Sequence, residues 1–295
     1  MTSSHDRSGG DSSDRSGPPL TPRSGRVKEA RKLQRRSVRR ERGLFLVEGA
    51  KSIGGALAVE GCVQEVFAAD RAYEDHAARE VIATAHSQGV RTHRCDDDAL
   101  AALADTVTPQ GVVAVCSLVA QEVDGEALGS RLAGARLVVI CADIRDPGNA
   151  GTVIRTADAA GADAVVLIGD PVDPHNAKTV RATVGSLFHL PVLQHDGEPA
   201  AAVAAIQQAG LQVLAADGGG ETSLDDIADE GALAQPTAWL MGNEAWGLPD
   251  TLAQAADARV AIPIHGRAES LNLATAAAVC LYASARALRH RTVSG

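Results

Sequence analysis

Apolar residues fall in continuous runs at 137–141 (LVVIC) and 164–168 (AVVLI), the pattern of strands buried on both faces. Between them, Val153, Ile154, Ala157 and Ala160 recur at helical spacing, and Gly161 is placed to stop the helix. The turn residues Asp146-Pro147-Gly148-Asn149 precede it, with Asn149 expected as the cap of a helix over 151–160. Strand, loop, helix and strand in this order predict a βαβ unit in a parallel sheet. The loop then lies at the carboxyl end of the first strand, where α/β proteins bind ligands.

The same pattern continues in both directions. Upstream it predicts strands at 44–47, 63–68, 90–93 and 111–118, with helices at 51–60, 71–88 and 99–104. Downstream it predicts helices at 176–183, 199–209 and 271–289, and strands at 191–193, 212–216, 237–241 and 259–264. Residues 119–134 are polar and read as a linker, and the Ser-, Gly- and Pro-rich residues 1–25 read as a disordered tail. The expectation is an α/β chain with a first domain at 26–118 and a second at 135–295.

Composition adjusts this picture in four ways. The chain of 295 residues is 45% hydrophobic, and no run approaches the roughly 20 apolar residues of a membrane helix. The first residues lack the apolar core of a signal peptide, so a cytoplasmic protein is expected. Five cysteines without CxxC spacing suggest buried thiols and no metal site. Charge is uneven: residues 1–42 hold 12 Lys and Arg against 5 Asp and Glu, and the remainder 16 against 32. The run at 26–42, RVKEARKLQRRSVRRER, reads as a basic helix whose arginines, among them Arg35, Arg36, Arg39 and Arg40, suit an RNA or DNA backbone. A helix that only aids solubility is the plainer alternative.

Three loops that follow strands carry polar side chains: Asn149 with Arg155, Asn243 with Glu244, and Ser270 with Asn272. Each has a scaffold explanation, since Asn149, Ser270 and Asn272 could be helix caps and Arg155 a solvated helix residue. Loops at one edge of a parallel sheet can converge, however. A guanidinium among amides and a carboxylate suits a phosphate or an oxyanion.

These segments together identify a family. DPGNAGTVIRTADAAGAD, MGNEAWGLP and IPIHGRAESLNLATAAAVCLY resemble, in order, the three motifs of the SpoU branch of the SPOUT methyltransferases. That branch contains RNA ribose 2′-O-methyltransferases related to tRNA (Gm18), 23S rRNA and thiostrepton-resistance enzymes. RATVGSLFHLP resembles the segment between the first two motifs. FLVEGAKSI resembles the auxiliary RNA-binding domain that is similar to ribosomal protein L30e. One departure is Asp146, where many members have Asn.

The resemblance implies a SPOUT α/β trefoil knot with a parallel sheet, preceded by a smaller L30e-like α/β domain. It implies S-adenosyl-L-methionine as cofactor, RNA (rRNA or tRNA) as partner, and a homodimer whose site is completed across the interface. It implies that Arg155 stabilises the developing alkoxide of the ribose and grips the adjacent phosphate. Asn149 and Asn272 orient ribose and arginine, while Glu244 and Ser270 fix those partners. Cofactor contacts map to Ala216, Gly242, Ile262 and Leu271, and Arg181 becomes a candidate RNA contact. A non-catalytic RNA-binding or ribosome-assembly protein of the same fold is the alternative from another class. An ordinary Rossmann enzyme lacks its GxGxxG after the first strand.

Overall fold

Runs that are apolar at every position become interior strands, and these place everything else. The computed structural model describes residues 17–293. The first elements are α1 (Gly25–Arg31), α2 (Arg36–Arg42), β1 (Leu44–Glu48), α3 (Ala50–Leu57), β2 (Val63–Ala69), α4 (His76–Ser87), β3 (Arg91–Cys95), α5 (Asp97–Leu103) and β4 (Val112–Ser117). They continue with β5 (Gln121–Val123), α6 (Gly125–Arg131), β6 (Leu137–Ala142), α7 (Pro147–Ala160), β7 (Ala164–Ile168), α8 (Ala177–Thr183), β8 (Val192–His195) and α9 (Pro199–Gln208). The last third adds β9 (Gln212–Ala216), β10 (Thr222–Ser223), α10 (Leu224–Asp229), β11 (Thr237–Met241), α11 (Asp250–Ala255), β12 (Ala258–Ala261) and α12 (Leu273–Val293).

Two units emerge, one of residues up to Leu33 with Leu46–Cys116, the other of Gln34–Phe45 with Ser117 onward. The smaller holds a sheet in the order β1-β4-β2-β3, with β2 parallel to β3 and antiparallel to β4. The larger holds eight strands in the order β10-β12-β9-β11-β6-β7-β8-β5, with every registered pair parallel. All residues of β6, β7 and β11 are buried, as sheets covered on both faces require. Burying each Val, Leu or Ile there contributes about 1.5–3 kcal/mol. On α12 the buried positions Ala274, Ala277, Leu281, Ser284 and Leu288 form one stripe, and it packs on α7, β11 and β6. The chain therefore returns from β12, near one edge, to the middle of the sheet.

Several sequence expectations change. Residues 119–134 are not a linker: β5 extends the large sheet beside β8, and α6 packs on α9 with Leu128 fully buried. The stretch hides this because its short edge strand buries only Val123. Residues 26–42 are not one helix. The backbone of Arg35 is extended (φ −91°, ψ 128°), which separates α1 and a short 3₁₀ turn from α2. Arg35, Arg36, Arg39 and Arg40 thus belong to the larger unit. Of the expected disordered tail, residues 1–16 lie outside the described residues. Leu20, by contrast, bridges alongside Cys95, its N–H donating to the Arg94 carbonyl and its carbonyl accepting from the Asp96 N–H, both at 2.9 Å.

Helix α7 starts earlier than expected. Asp146, not Asn149, is its cap, accepting from the Asn149 N–H at 2.8 Å, and Pro147 occupies the first turn. That bond from the Asn149 amide, partly opposed by burial, lowers the Asp146 carboxyl below its ordinary value. Gly151 serves helix packing: a Cβ there would lie 2.5 Å from the Thr179 carbonyl and from the Ala182 Cβ of α8.

All five cysteines are buried free thiols. Burial pushes Cys95, Cys141 and Cys280 up to about 12, which leaves them protonated and inert at neutral pH. Among the described residues no helix is long and apolar enough to cross a membrane.

Candidate active site

Strands β12, β9, β11 and β6 are neighbours and end level with one another. Met241 is paired with Cys141 on one side and with Ala216 on the other, and Val260 with Ala216. The loops that follow therefore meet at one edge of the sheet. Asn243 locks two of them together, its Nδ2 donating to the Asp143 carbonyl at 2.7 Å while its Oδ1 accepts from the Ala245 N–H at 2.8 Å. Asp143 is in the left-handed region (φ 52°), so this grip offsets a strained backbone. Gly242 is obligatory, because a Cβ would lie 2.4 Å from the Gly247 carbonyl carbon.

A chain of hydrogen bonds crosses the loops. The Glu244 carboxylate accepts from Asn149 Nδ2 at 3.2 Å and from the Asp146 N–H at 3.2 Å. Its position at the start of α7 suits an anion, since the Asp146 N–H and the positive end of the helix dipole point there. Asn149 Oδ1 in turn accepts from Asn272 Nδ2 at 3.1 Å. Asn272 Oδ1 accepts from the Ala274 N–H at 2.9 Å and so caps α12. Asn272 is thus a cap and a link at once, while Asp146 frees the Asn149 side chain for the network.

Beside this chain lies a cavity of about 360 Å³, within the usual range for small ligands. Ala216, Gly242, Ile262 and Leu271 line it, with Glu244 and Ser270. Among the described residues no Lys or Arg lines it, whereas Glu244 and Glu269 do. Apolar walls, backbone amides and acidic charge fit a purine joined to a sulfonium cation; a polyphosphate would find no cation there. The loop after β9 is held in shape by Asp217, which accepts from the Gly219 N–H at 2.9 Å and pairs with Arg259 at 2.9 Å. These contacts, the Gly219 amide first, lower the Asp217 carboxyl against the opposing effect of burial.

The structure thus brings together Asn149, Glu244 and Asn272 by direct bonds, and Ser270 with the four expected cofactor residues around one cavity. Arg155 stands apart. It is exposed on α7, six residues beyond Asn149, so about 9 Å along the helix and rotated by about 120°. It makes no hydrogen bond or ion pair among the described residues. Arg181 is half-buried on α8, which packs against α7.

The basic segment divides. Arg35, Arg36 and Arg40 are exposed, with Arg40 paired to Glu122 at 2.8 Å. Arg39 is only 5% exposed, and its Nε and Nη2 donate to Asp173 Oδ2 at 3.0 and 2.5 Å. Arg39 is therefore a scaffold ion pair and not the RNA contact expected of it. Burial would raise the Asp173 carboxyl. Hydrogen bonds from His175 and Arg39, with the Arg39 charge, outweigh that and hold it well below the usual range. Asn243, marked from sequence only as a polar loop residue, and Asp146, marked only as a turn residue, shape the loops, while Arg145, whose guanidinium lies 5.5 Å from the Trp246 ring centroid, is unmarked in the sequence. Loop polarity alone could not single them out.

The sequence model described as the SpoU rRNA Methylase family matches residues 136–282, and that of the MRM3-like substrate binding domain matches residues 25–114. The chain is 33% identical over 259 residues to the 23S rRNA (guanosine(2553)-2′-O)-methyltransferase RlmP of Bacillus subtilis (strain 168), an alignment covering 87% of this chain and 94% of that one. The chain belongs to the SpoU rRNA methylase family. It is also 32% identical over 273 residues to the 23S rRNA (uridine(2479)-2′-O)-methyltransferase of Streptomyces viridochromogenes, covering 90% and 91% of the two chains. Among solved structures, the AdoMet-bound rRNA methyltransferase from Sinorhizobium meliloti superposes with a TM-score of 0.77 at 31% identity, covering 92% of this chain and 98% of that one. The SpoU methyltransferase AviRb from Streptomyces viridochromogenes, in complex with AdoMet, gives 0.76 at 29% identity, covering 92% and 100%. The fold is accordingly the parallel α/β fold of SPOUT methyltransferases behind an amino-terminal substrate-binding domain.

Proposed function

We propose that this family member, an S-adenosylmethionine-dependent RNA ribose 2′-O-methyltransferase, acts on 23S rRNA in the cytoplasm as a homodimer. The observation that carries the reading is the Glu244–Asn149–Asn272 chain along the cavity that Ala216, Gly242, Ile262 and Leu271 line. A non-catalytic assembly protein would have no use for hydrogen bonds that tie three loops together at a ligand-sized hollow.

When bound, S-adenosylmethionine would supply a sulfonium methyl group for in-line transfer to the 2′-oxygen, the S–CH3 bond breaking to leave a neutral thioether and the hydroxyl proton passing to solvent. The cavity residues hold the donor, with Glu244 and Glu269 favouring its positive charge. Asn149 and Asn272 fix the acceptor ribose, and Glu244 keeps Asn149 turned toward it. Arg155 is an awkward base, because a guanidinium holds its proton above about pH 12. Its role is to stabilise the alkoxide as it forms and to grip the neighbouring phosphate. Its distance along α7 from Asn149 fits a site completed by a second copy of the chain. The apolar Val279 and Tyr282, exposed one turn apart on α12, provide a surface for that copy. Arg35, Arg36 and Arg40 serve the RNA backbone, with Arg181 as a further contact.

Incubating the enzyme with an unmethylated 23S rRNA transcript and labelled S-adenosylmethionine, then digesting to nucleosides, tests this. One 2′-O-methylated nucleoside is expected; label on a base, or none, contradicts it. Sedimentation should give twice the chain mass.

A further inference from the structure

The chain has two tryptophans, and they are used in opposite ways. Trp239 in β11 is fully buried, and its indole Nε1 donates to Ser284 Oγ at 2.9 Å. Trp246 is 55% exposed, leaving a large aromatic face in water. Its position is held by the loop beneath it. Asn243 and Gly247 exchange backbone hydrogen bonds at 2.8 and 3.0 Å, and Gly247 adopts φ 72°. Glu244, Ala245 and Trp246 are therefore the tip of a closed loop, and the indole shares that tip with the carboxylate that bonds Asn149.

Two further facts give this face a direction. Ala245 and Gly247 line the cofactor cavity and Trp246 does not, so the indole is not a wall of that cavity. The Arg145 guanidinium lies 5.5 Å from the ring centroid and is tethered to Asp170 at 3.2 Å. An aromatic ring that carries a guanidinium over it and still exposes more than half its surface offers what an unpaired base and its phosphate require.

We propose that Trp246, flanked by Arg145, is the stacking platform for an unpaired base of the substrate RNA, at or next to the nucleotide whose ribose is methylated. The proposal rests on the reading of this site as an RNA 2′-O-methyltransferase and adds how the target is chosen. A base inside a duplex cannot offer its face, so the platform selects a nucleotide that is looped out or single-stranded. Stacking tolerates every base, so it selects for context and not for base identity.

Because Trp239 is buried away from any RNA, a change in emission on adding RNA reports chiefly on Trp246. Titration with an unmethylated 23S rRNA transcript should quench the emission, whereas a fully paired RNA duplex should not. Trp246→Phe should lose the quench and keep a KM for the transcript near that of the unaltered enzyme. Trp246→Ala should raise that KM by about tenfold or more, with S-adenosylmethionine affinity unchanged. Emission indifferent to the transcript, or an unchanged KM in Trp246→Ala, overturns the proposal. So does a quench by S-adenosylmethionine alone, which would make the indole a cofactor cover. A transcript-specific quench without methyl transfer by the unaltered enzyme would support the platform and count against the assigned reaction.

Discussion

Arg39 and Arg155 carry the same guanidinium into opposite settings. Arg39, in α2, is buried against Asp173, with Nη1 also donating to the Gln34 carbonyl at 2.9 Å. Arg155, in α7, is exposed and makes no ion pair among the described residues. Sequence marks both as cations open to RNA, Arg39 within the basic run at 26–42 and Arg155 beside the loop after a buried strand. Burial decides which is scaffold, because a charge out of water is stable only when it is paired and hydrogen-bonded. A cation left in solvent without a partner remains available to a substrate.

Replacing the two should therefore separate stability from chemistry. Arg39→Ala leaves Asp173 buried without its cation and should lower unfolding free energy by about 3–5 kcal/mol, read by denaturant melts. Equal stability would show that the pair is not structural. The Asp173 carboxyl is held below its unfolded value, so its contribution is present above about pH 4 and is lost as pH falls further. Arg39→Ala should accordingly flatten the acid limb of the stability curve.

A smaller effect is expected where the loops are tied. Glu244→Ala frees Asn149 and the first turn of α7, and a misplaced ribose lowers kcat by up to about 10²-fold with the melting curve nearly unchanged. A kcat equal to that of the unaltered enzyme would place the carboxylate outside the site. Smallest is the effect of the exposed arginines. Arg36→Ala should weaken 23S rRNA binding evenly and reduce the slope of log affinity against log salt by about one. An unchanged slope removes Arg36 from the RNA footprint.

The central βαβ unit was legible because residues 137–141 and 164–168 are apolar throughout, a pattern that few structures other than a covered strand satisfy. Three of the five residues expected to carry the chemistry are joined by hydrogen bonds, since loops at one edge of a parallel sheet must meet. The failures have common physical causes. Segment 121–131 buries little beyond Val123 and Leu128, and so reads as linker. Nothing in the residue type of Arg35 announces an extended backbone. Asp146 and Asn149 are both good caps three residues apart, and only geometry assigns the role to one of them. The knot that the family resemblance implies lies beyond any reading of hydrophobic pattern, because threading leaves no trace in periodicity.

The most direct measurement pairs calorimetric S-adenosylmethionine binding with single-turnover methylation of a 23S rRNA transcript in Arg155→Ala. Cofactor affinity should match that of the unaltered enzyme while the transfer rate falls by about 10²–10³-fold, as loss of one charge-stabilising donor implies. Undiminished transfer with intact binding would contradict the assignment of Arg155 to the reacting hydroxyl.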